Sequence, residues 1–115
     1  AGANCITRLP LGDCRANPQT RELMVNLATE AVAVAMSLNI SLPKNQVDLT
    51  MKLLDALPGT MKASILAALE RGEKLEASAL NGAIERLGRE TQIDTPSHRA
   101  VYAALSPHEN GTPNE

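Results

Sequence analysis

The sequence predicts an all-α fold, a single-domain bundle of about five or six antiparallel helices joined by short loops. The chain has no Phe or Trp and only one Tyr, so its core must be built from aliphatic side chains. Ala and Leu favour helices, whereas the aromatic residues that favour strands are missing. No segment alternates apolar and polar residues with a period of two. We therefore predict helices and no strands.

The length and composition fit one domain. The chain has 115 residues, 43% of them hydrophobic, which is enough for one core but not for two. We predict a helical domain over residues 1–107 and a flexible, polar tail over residues 108–115. No stretch approaches the roughly 20 apolar residues that span a bilayer, so no membrane partner is expected. A net charge of -2 without a basic run argues against a nucleic-acid partner.

The start of the chain lacks the features of a secretory protein. It opens at Ala1 without Met, a charged n-region or an apolar h-region. We expect no signal peptide, a cytoplasmic location and a longer parent protein. Cys5 and Cys14 are predicted to be reduced, packed thiols, because a domain of this size does not need a disulfide. The glycosylation sequons at Asn39 and Asn110 are interpreted as chance matches.

Apolar residues at helical spacing predict the individual elements. The first clear helix, and the longest or nearly so, runs from Thr20 to about Asn39, with Thr20 as N-cap. The stretch before it is interrupted by Pro10, Gly12 and Pro18. The inward face of this helix is predicted to carry Leu23, Leu27, Ala31, Val34 and Leu38.

Four more helices are predicted after it, over residues 45–57, 61–72, 74–91 and 95–107. A tight turn at Gly72 joins the two central ones. The last begins with Thr95 as cap and Pro96 in the first turn. The inward residues of the first and last of these four helices are predicted to be Val47, Met51, Leu54, Leu57, Val101, Tyr102 and Leu105.

One carboxylate lies in line with a predicted buried stripe. Projected backwards by one turn, the apolar positions of the helix over residues 74–91 reach Glu76. The helix N-terminus favours the charged form of a first-turn carboxyl group, whereas burial favours the neutral form. Two interpretations are open at this point. Glu76 is either a functional carboxylate or an ordinary solvated acid of a first helical turn.

Other polar residues carry weaker signals. A mid-helix serine such as Ser64 usually bonds its own backbone, and Asn4 is either exposed or meets a ligand with its amide. His98 and His108 lack further ligands at helical spacing, so both are predicted to be surface residues and no metal site is expected. No glycine-rich phosphate loop follows a predicted strand, so no cofactor-binding residue is predicted in this chain.

Several motifs keep a fixed order and spacing along nearly the whole chain: Asn4-Cys5, Ser64, Gly72, Glu76, Asn81-Gly82, Gly88, Thr95-Pro96 and Tyr102. This order resembles the C-terminal domain of ketopantoate reductases (2-dehydropantoate 2-reductases). The resemblance implies a fold like the helical C-terminal domain of 6-phosphogluconate dehydrogenase-like reductases. Four positions depart from the family pattern and affect the substrate more than the fold: Arg8, Ile65, Ala68 and Ser78.

The resemblance implies one half of a two-domain enzyme. An N-terminal Rossmann domain, absent from this chain, would bind NADPH, and the helical domain would close over the cofactor to complete the substrate cleft. The implied reaction reduces a small 2-oxo acid, 2-dehydropantoate to pantoate, a step toward coenzyme A. The chain alone is expected to be inactive and to bind no cofactor. Its expected partners are its own Rossmann domain, the 2-oxo acid and a second copy in a homodimer.

The resemblance also implies roles for three residues. Glu76 would be catalytic and contact the substrate, Ser64 would help to hold the substrate, and Asn4 would lie beside the substrate and a catalytic Lys. That Lys would act as general acid to the developing alkoxide and is expected just before Ala1. The alternative is a helical interaction or dimerisation module without catalysis, in which Glu76 has no special role.

Overall fold

The structure is a computed structural model that describes residues 7, 9–61, 71 and 78–108. These residues form five α-helices and no strand, which confirms the predicted all-α fold. The predicted helix over residues 61–72 and the tail beyond residue 108 lie outside the described residues. The helices are α1 (Leu11–Ala16), α2 (Pro18–Ser37), α3 (Gln46–Ala56), α4 (Ser78–Thr91) and α5 (Pro96–Leu105), and a 3-10 helix follows at Ser106–His108.

The second helix, α2, is the axis of the described fold. It is 20 residues long and packs against each of the other four helices. The Asn17 side-chain oxygen accepts hydrogen bonds from the backbone N–H groups of Gln19 and Thr20, at 2.9 and 3.3 Å. Pro18 takes the first helical position, where no N–H is required. The prediction of Thr20 as N-cap was therefore wrong, because Pro18 begins this helix instead of ending the element before it.

The short helix α1 was missed in the sequence, where Pro10 and Gly12 were interpreted as interruptions. Pro10 is in fact its N-cap. The backbone N–H groups of Leu11 and Gly12 donate to the carbonyls of Met61 and Gly59, at 2.9 and 2.8 Å. The loop after α3 thus supplies acceptors that the first turn of a helix cannot supply itself. This long-range pairing has no signal in the local sequence.

The apolar core lies between α1, α2 and α3. Arg15 of α1 closes one end of it, because its guanidinium Nη1 donates to the carbonyls of Leu54 and Leu57 at the end of α3. Cys14 is a buried thiol, as predicted. Met51 is buried and Leu54 and Leu57 pack against the core, also as predicted. The buried core residues here are Leu11, Cys14, Met24 and Met51, with Leu23, Val25, Leu54 and Leu57 packed on them.

An ion pair joins α2 to α3 beside this core. Both guanidinium nitrogens of Arg21 reach the carboxylate of Asp55, each at 2.8 Å. These hydrogen bonds lower the pKa of Asp55 below its usual value and raise that of Arg21. Both side chains are partly exposed to solvent, so the pair orients the two helices and adds little stability.

The predicted inward face of α2 was only partly right. Val34 is buried, but Leu38 is exposed, and it follows the last residue of the helix. Met24 and Glu30 are buried although the single apolar stripe did not include them. The reason is that α2 has neighbours on several sides, so burial does not follow one stripe.

The last two helices pack closely. Val101 and Leu105 of α5 are buried, as predicted. A Cβ atom on Gly82 would lie 2.9 Å from the ring of Tyr102, so α4 approaches α5 where it has no side chain. The turn between them is closed by the N–H of Ile93, which donates to the carbonyl of Gly88 at 2.8 Å. The absence of a side chain at Gly82 therefore sets the spacing between α4 and α5.

The contact between α1 and the loop after α3 can be tested with a matched pair of glycine substitutions. A Cβ on Gly12 would lie 2.9 Å from both Cα and O of Gly59, whereas a Cβ on Gly59 meets nothing closer than 3.4 Å. We expect Gly12→Ala to destabilise the protein by about 1–3 kcal/mol, although alanine favours a helix. Gly59→Ala should be close to neutral. Urea unfolding of both variants measures the difference, and equal stabilities would contradict the close approach.

Candidate functional site

The three residues predicted to form the site, Glu76, Ser64 and Asn4, all lie outside the described residues. Their roles therefore stay predictions. The structure does describe the parts of the fold to which these three positions are joined along the chain. Two junctions are relevant, one at the start of α1 and one between α2, α4 and α5.

The first junction ties two distant parts of the chain together. Asn4 precedes Leu11 by seven residues and Ser64 follows Met61 by three. Leu11 and Met61 are joined by the backbone hydrogen bond of 2.9 Å at the start of α1. Leu11 and Met61 therefore lie side by side, although 50 residues separate them along the chain. A shared site for Asn4 and Ser64 stays a prediction, and this contact between their neighbouring segments supports it.

The second junction is a buried imidazole that bridges three helices. Nε2 of His98, on α5, lies 2.7 Å from the backbone carbonyl of Leu27 on α2. Because a carbonyl only accepts, Nε2 carries the proton, and in the neutral ring Nδ1 is an acceptor. Nδ2 of Asn81, on α4, lies 2.9 Å from that Nδ1 and donates to it. Both ring nitrogens are thus satisfied inside the protein.

A carboxylate of α2 holds the start of α5 at the same place. Oε2 and Oε1 of Glu30 accept hydrogen bonds from the backbone N–H groups of Ser97 and His98, at 2.9 and 3.0 Å. Thr95 takes the predicted N-cap position, but its side chain makes no capping hydrogen bond. Glu30 instead caps α5 from α2, and a negative charge at a helix N-terminus is electrostatically favourable.

The prediction that His98 is a surface residue was wrong, because only 5% of it is exposed. Its partners Leu27, Glu30 and Asn81 come from two other helices. A search for partners at helical spacing around His98 in the sequence therefore cannot find them. Their hydrogen bonds also limit the chemistry available here. Glu30 is occupied by two backbone donors and His98 by one donor and one acceptor, which makes both supports for the fold, not groups that hold a substrate.

The described residues contain no group of three or more potential metal ligands. No helix in this part of the chain is long and apolar enough to cross a bilayer. It also offers no turn from a strand into a helix, which is where a dinucleotide pyrophosphate binds in a Rossmann domain. The described residues therefore do not fit the phosphates of a nicotinamide cofactor.

Comparison with known proteins identifies the fold. Residues 1–109 match the family described as the ketopantoate reductase PanE/ApbA C-terminal domain. The chain belongs to this family. The ketopantoate reductase resemblance drawn from the motif order is thus confirmed.

Two curated relatives of this ketopantoate reductase domain are 2-dehydropantoate 2-reductases. The protein from Mesorhizobium japonicum is 35% identical over 102 residues, which are 89% of this chain and 31% of the relative. The protein from Pyrobaculum aerophilum is 26% identical over 113 residues, which are 96% of this chain and 40% of the relative. The chain therefore spans less than half the length of the curated relatives it matches.

Solved structures give the same result. The dimeric ketopantoate reductase from Staphylococcus aureus superposes with a TM-score of 0.86 at 25% identity, over 94% of this chain and 38% of its own. A PanE/ApbA family ketopantoate reductase from Ralstonia eutropha JMP134 superposes with a TM-score of 0.82 at 28% identity, over 94% of this chain and 36% of its own. The helical arrangement described above is thus that of ketopantoate reductases.

The cap that Glu30 provides to α5 can be tested by substitution. Glu30→Ala leaves the buried N–H group of His98 and the partly buried N–H group of Ser97 without their acceptor, so we expect a loss of about 2–4 kcal/mol in unfolding free energy. Glu22→Ala, at an exposed position of the same helix, is the matched control and should change stability by less than about 0.5 kcal/mol. Urea unfolding gives both values. Equal effects of the two substitutions would rule out the cap.

Proposed function

We propose that this chain is the substrate-side domain of an NADPH-dependent 2-oxo acid reductase that converts 2-dehydropantoate to pantoate. The observation that carries the proposal is the family match over residues 1–109. The named relatives are 2-dehydropantoate 2-reductases, which supports this substrate. The reaction would serve pantothenate and coenzyme A synthesis in the cytoplasm.

The share of the relatives that the chain covers, 31% and 40%, supports a parent protein with a further domain. Residues 1–107 form the helical domain, residues 108–115 form a tail, and a Rossmann domain of the parent protein binds NADPH. When bound, this cofactor supplies the hydride for the ketone. The described residues offer no pyrophosphate cradle, which supports assigning the cofactor to the other domain. We propose that the chain alone is inactive.

The proposed role of this chain is to bind and orient the 2-oxo acid. Glu76 would accept a hydrogen bond from the substrate, Ser64 would hold it with its hydroxyl group, and Asn4 would lie beside it. These groups would fix the ketone in one orientation, which lowers the entropic part of the barrier. A Lys outside this chain would donate a proton to the alkoxide oxygen.

The described framework supports this arrangement at two points. The Leu11–Met61 hydrogen bond joins the segments that lead to Asn4 and Ser64. The bridge from Asn81 to His98 fixes the helix α4, whose first described residue, Ser78, follows Glu76 by two positions in the sequence. Neither contact takes part in the proposed chemistry. Both would hold the segments that carry Asn4, Ser64 and Glu76 in fixed positions.

The competing function is a helical interaction module without catalysis, in which Glu76 is a solvated acid of a first helical turn. The two functions differ in what Glu76 does for the reaction. Kinetic measurements on the parent protein with its NADPH domain are therefore needed to distinguish the two functions.

Glu76→Ala in the full-length protein should lower kcat/KM for 2-dehydropantoate by about 10- to 150-fold, since it removes one charge-assisted hydrogen bond worth about 1.5–3 kcal/mol. The affinity for NADPH should change little. Glu90→Ala, at an exposed position near the end of α4, is the matched control. Unchanged kinetics for Glu76→Ala would favour the interaction module.

We also propose a homodimer, with the second copy seated on a groove between α2 and α3. The groove has a volume of about 280 Å³ and an apolar floor. Leu49 and Leu53, both exposed, lie at helical spacing from two of its lining residues and extend its apolar surface. The relative that superposes with a TM-score of 0.86 is dimeric, which favours a second copy as occupant. The groove is lined by Ala28, Ala31, Val32, Leu42, Gln46 and Thr50.

Leu53→Lys should weaken this dimer at least about tenfold, because a buried unpaired ammonium costs well over the 1.4 kcal/mol that a tenfold change represents. Sedimentation equilibrium of the full-length protein measures the dimer constant. Asp48→Lys, at an exposed position on another face of α3, adds a positive charge away from the groove and should leave the constant unchanged. A dimer that tolerates Leu53→Lys would place the interface elsewhere.

A further inference from the structure

Three buried polar side chains have no part in the proposed chemistry. Glu30, Asn81 and His98 are 9%, 7% and 5% exposed, and they meet where α2, α4 and α5 come together. Burial of polar groups is costly unless every hydrogen bond is made, and apolar side chains could fill the same space at no such cost. Their presence therefore indicates a need for a defined geometry at this point, which directional hydrogen bonds provide.

The two halves of the cluster hold different elements. Glu30 caps α5 through two backbone N–H groups, so it fixes α5 against α2 whatever lies on α4. Asn81 is the residue of the cluster that belongs to α4, and its side-chain amide donates a hydrogen bond to Nδ1 of His98. The imidazole is held in turn by the carbonyl of Leu27. The imidazole of His98 thus links α4 to α2 and fixes the position of α4 along α5.

We propose that His98 is a positioning residue for the substrate side of the enzyme, which acts by fixing α4 through Asn81. This inference rests on the proposed function, because α4 follows Glu76 in the chain. Close packing at Gly82 and Tyr102 sets how near α4 lies to α5. Packing at Gly82 alone would leave α4 free to slide and rotate against α5. The Asn81–His98 hydrogen bond fixes both the register and the rotation of α4.

The chemistry of the imidazole provides a matched pair of variants. An Asn amide reaches about as far from Cα as Nδ1 does, and a Gln amide about as far as Nε2. His98→Asn can therefore keep the hydrogen bond to Asn81 and lose the one to Leu27. His98→Gln can keep the hydrogen bond to Leu27 and lose the one to Asn81. Each variant loses one buried hydrogen bond, so their urea midpoints should fall by similar amounts.

The first measurement is kinetic and uses the full-length protein with NADPH and 2-dehydropantoate. We expect His98→Gln to lower kcat/KM about tenfold, chiefly through kcat, and His98→Asn to lower it only about threefold. Asn81→Ala should match His98→Gln, and adding it to His98→Gln should cause little further loss, because the two act through one hydrogen bond. Equal kinetic losses in His98→Asn and His98→Gln would overturn the proposal.

The second measurement does not depend on activity. Amide hydrogen exchange of residues 81–88 in the full-length protein should be about tenfold faster in His98→Gln than in His98→Asn, while residues 101–105 differ little. If the wild-type protein does not reduce 2-dehydropantoate, the proposed function fails, and this exchange difference still decides whether His98 fixes α4. Equal exchange in the two variants, or equal changes in both helices, would show a role in general stability only and overturn the proposal.

Discussion

The contact between the middle of α2 and the start of α5 is the constraint on which much of the described fold depends. Glu30 supplies the acceptors that the first turn of α5 lacks, and the backbone carbonyl of Leu27 accepts a hydrogen bond from the imidazole of His98 in the same turn. The two groups lie three residues apart on α2 and share one face. Because α2 also packs on α1, α3 and α4, this contact fixes the position of the helix pair α4 and α5 relative to the rest of the described domain.

The buried residues of this contact and the predicted site residues have different roles in the proposed function. His98 and Glu30 are chemically occupied and serve as supports, while Glu76, Ser64 and Asn4 are proposed to meet the substrate. The described parts nearest to those positions along the chain are the Leu11–Met61 hydrogen bond and the helix α4. A domain that contributes a substrate surface to a cofactor held elsewhere needs this rigidity, because a small displacement of a binding group is costly in rate.

The features of the fold that depend on local periodicity could be predicted from the sequence. The features that depend on contacts with residues far away along the chain could not. The missing aromatics and the spacing of Met51, Leu54 and Val101 were sufficient for an all-α fold and much of the core. The helix α1 and the burial of His98 were not predictable, because their hydrogen-bond partners lie 50 and 71 residues away along the chain. The family came from joint motif spacing, while the proposed site residues stay predictions.

We propose that this helical domain binds the 2-oxo acid through Glu76 and Ser64. The measurement that tests it most directly is a crystal structure of the full-length protein with NADP⁺ and pantoate. We predict that pantoate lies between the two domains with Glu76 and Ser64 within hydrogen-bond distance, about 2.6–3.2 Å. Pantoate bound only to the cofactor domain, with Glu76 facing solvent, would contradict the account.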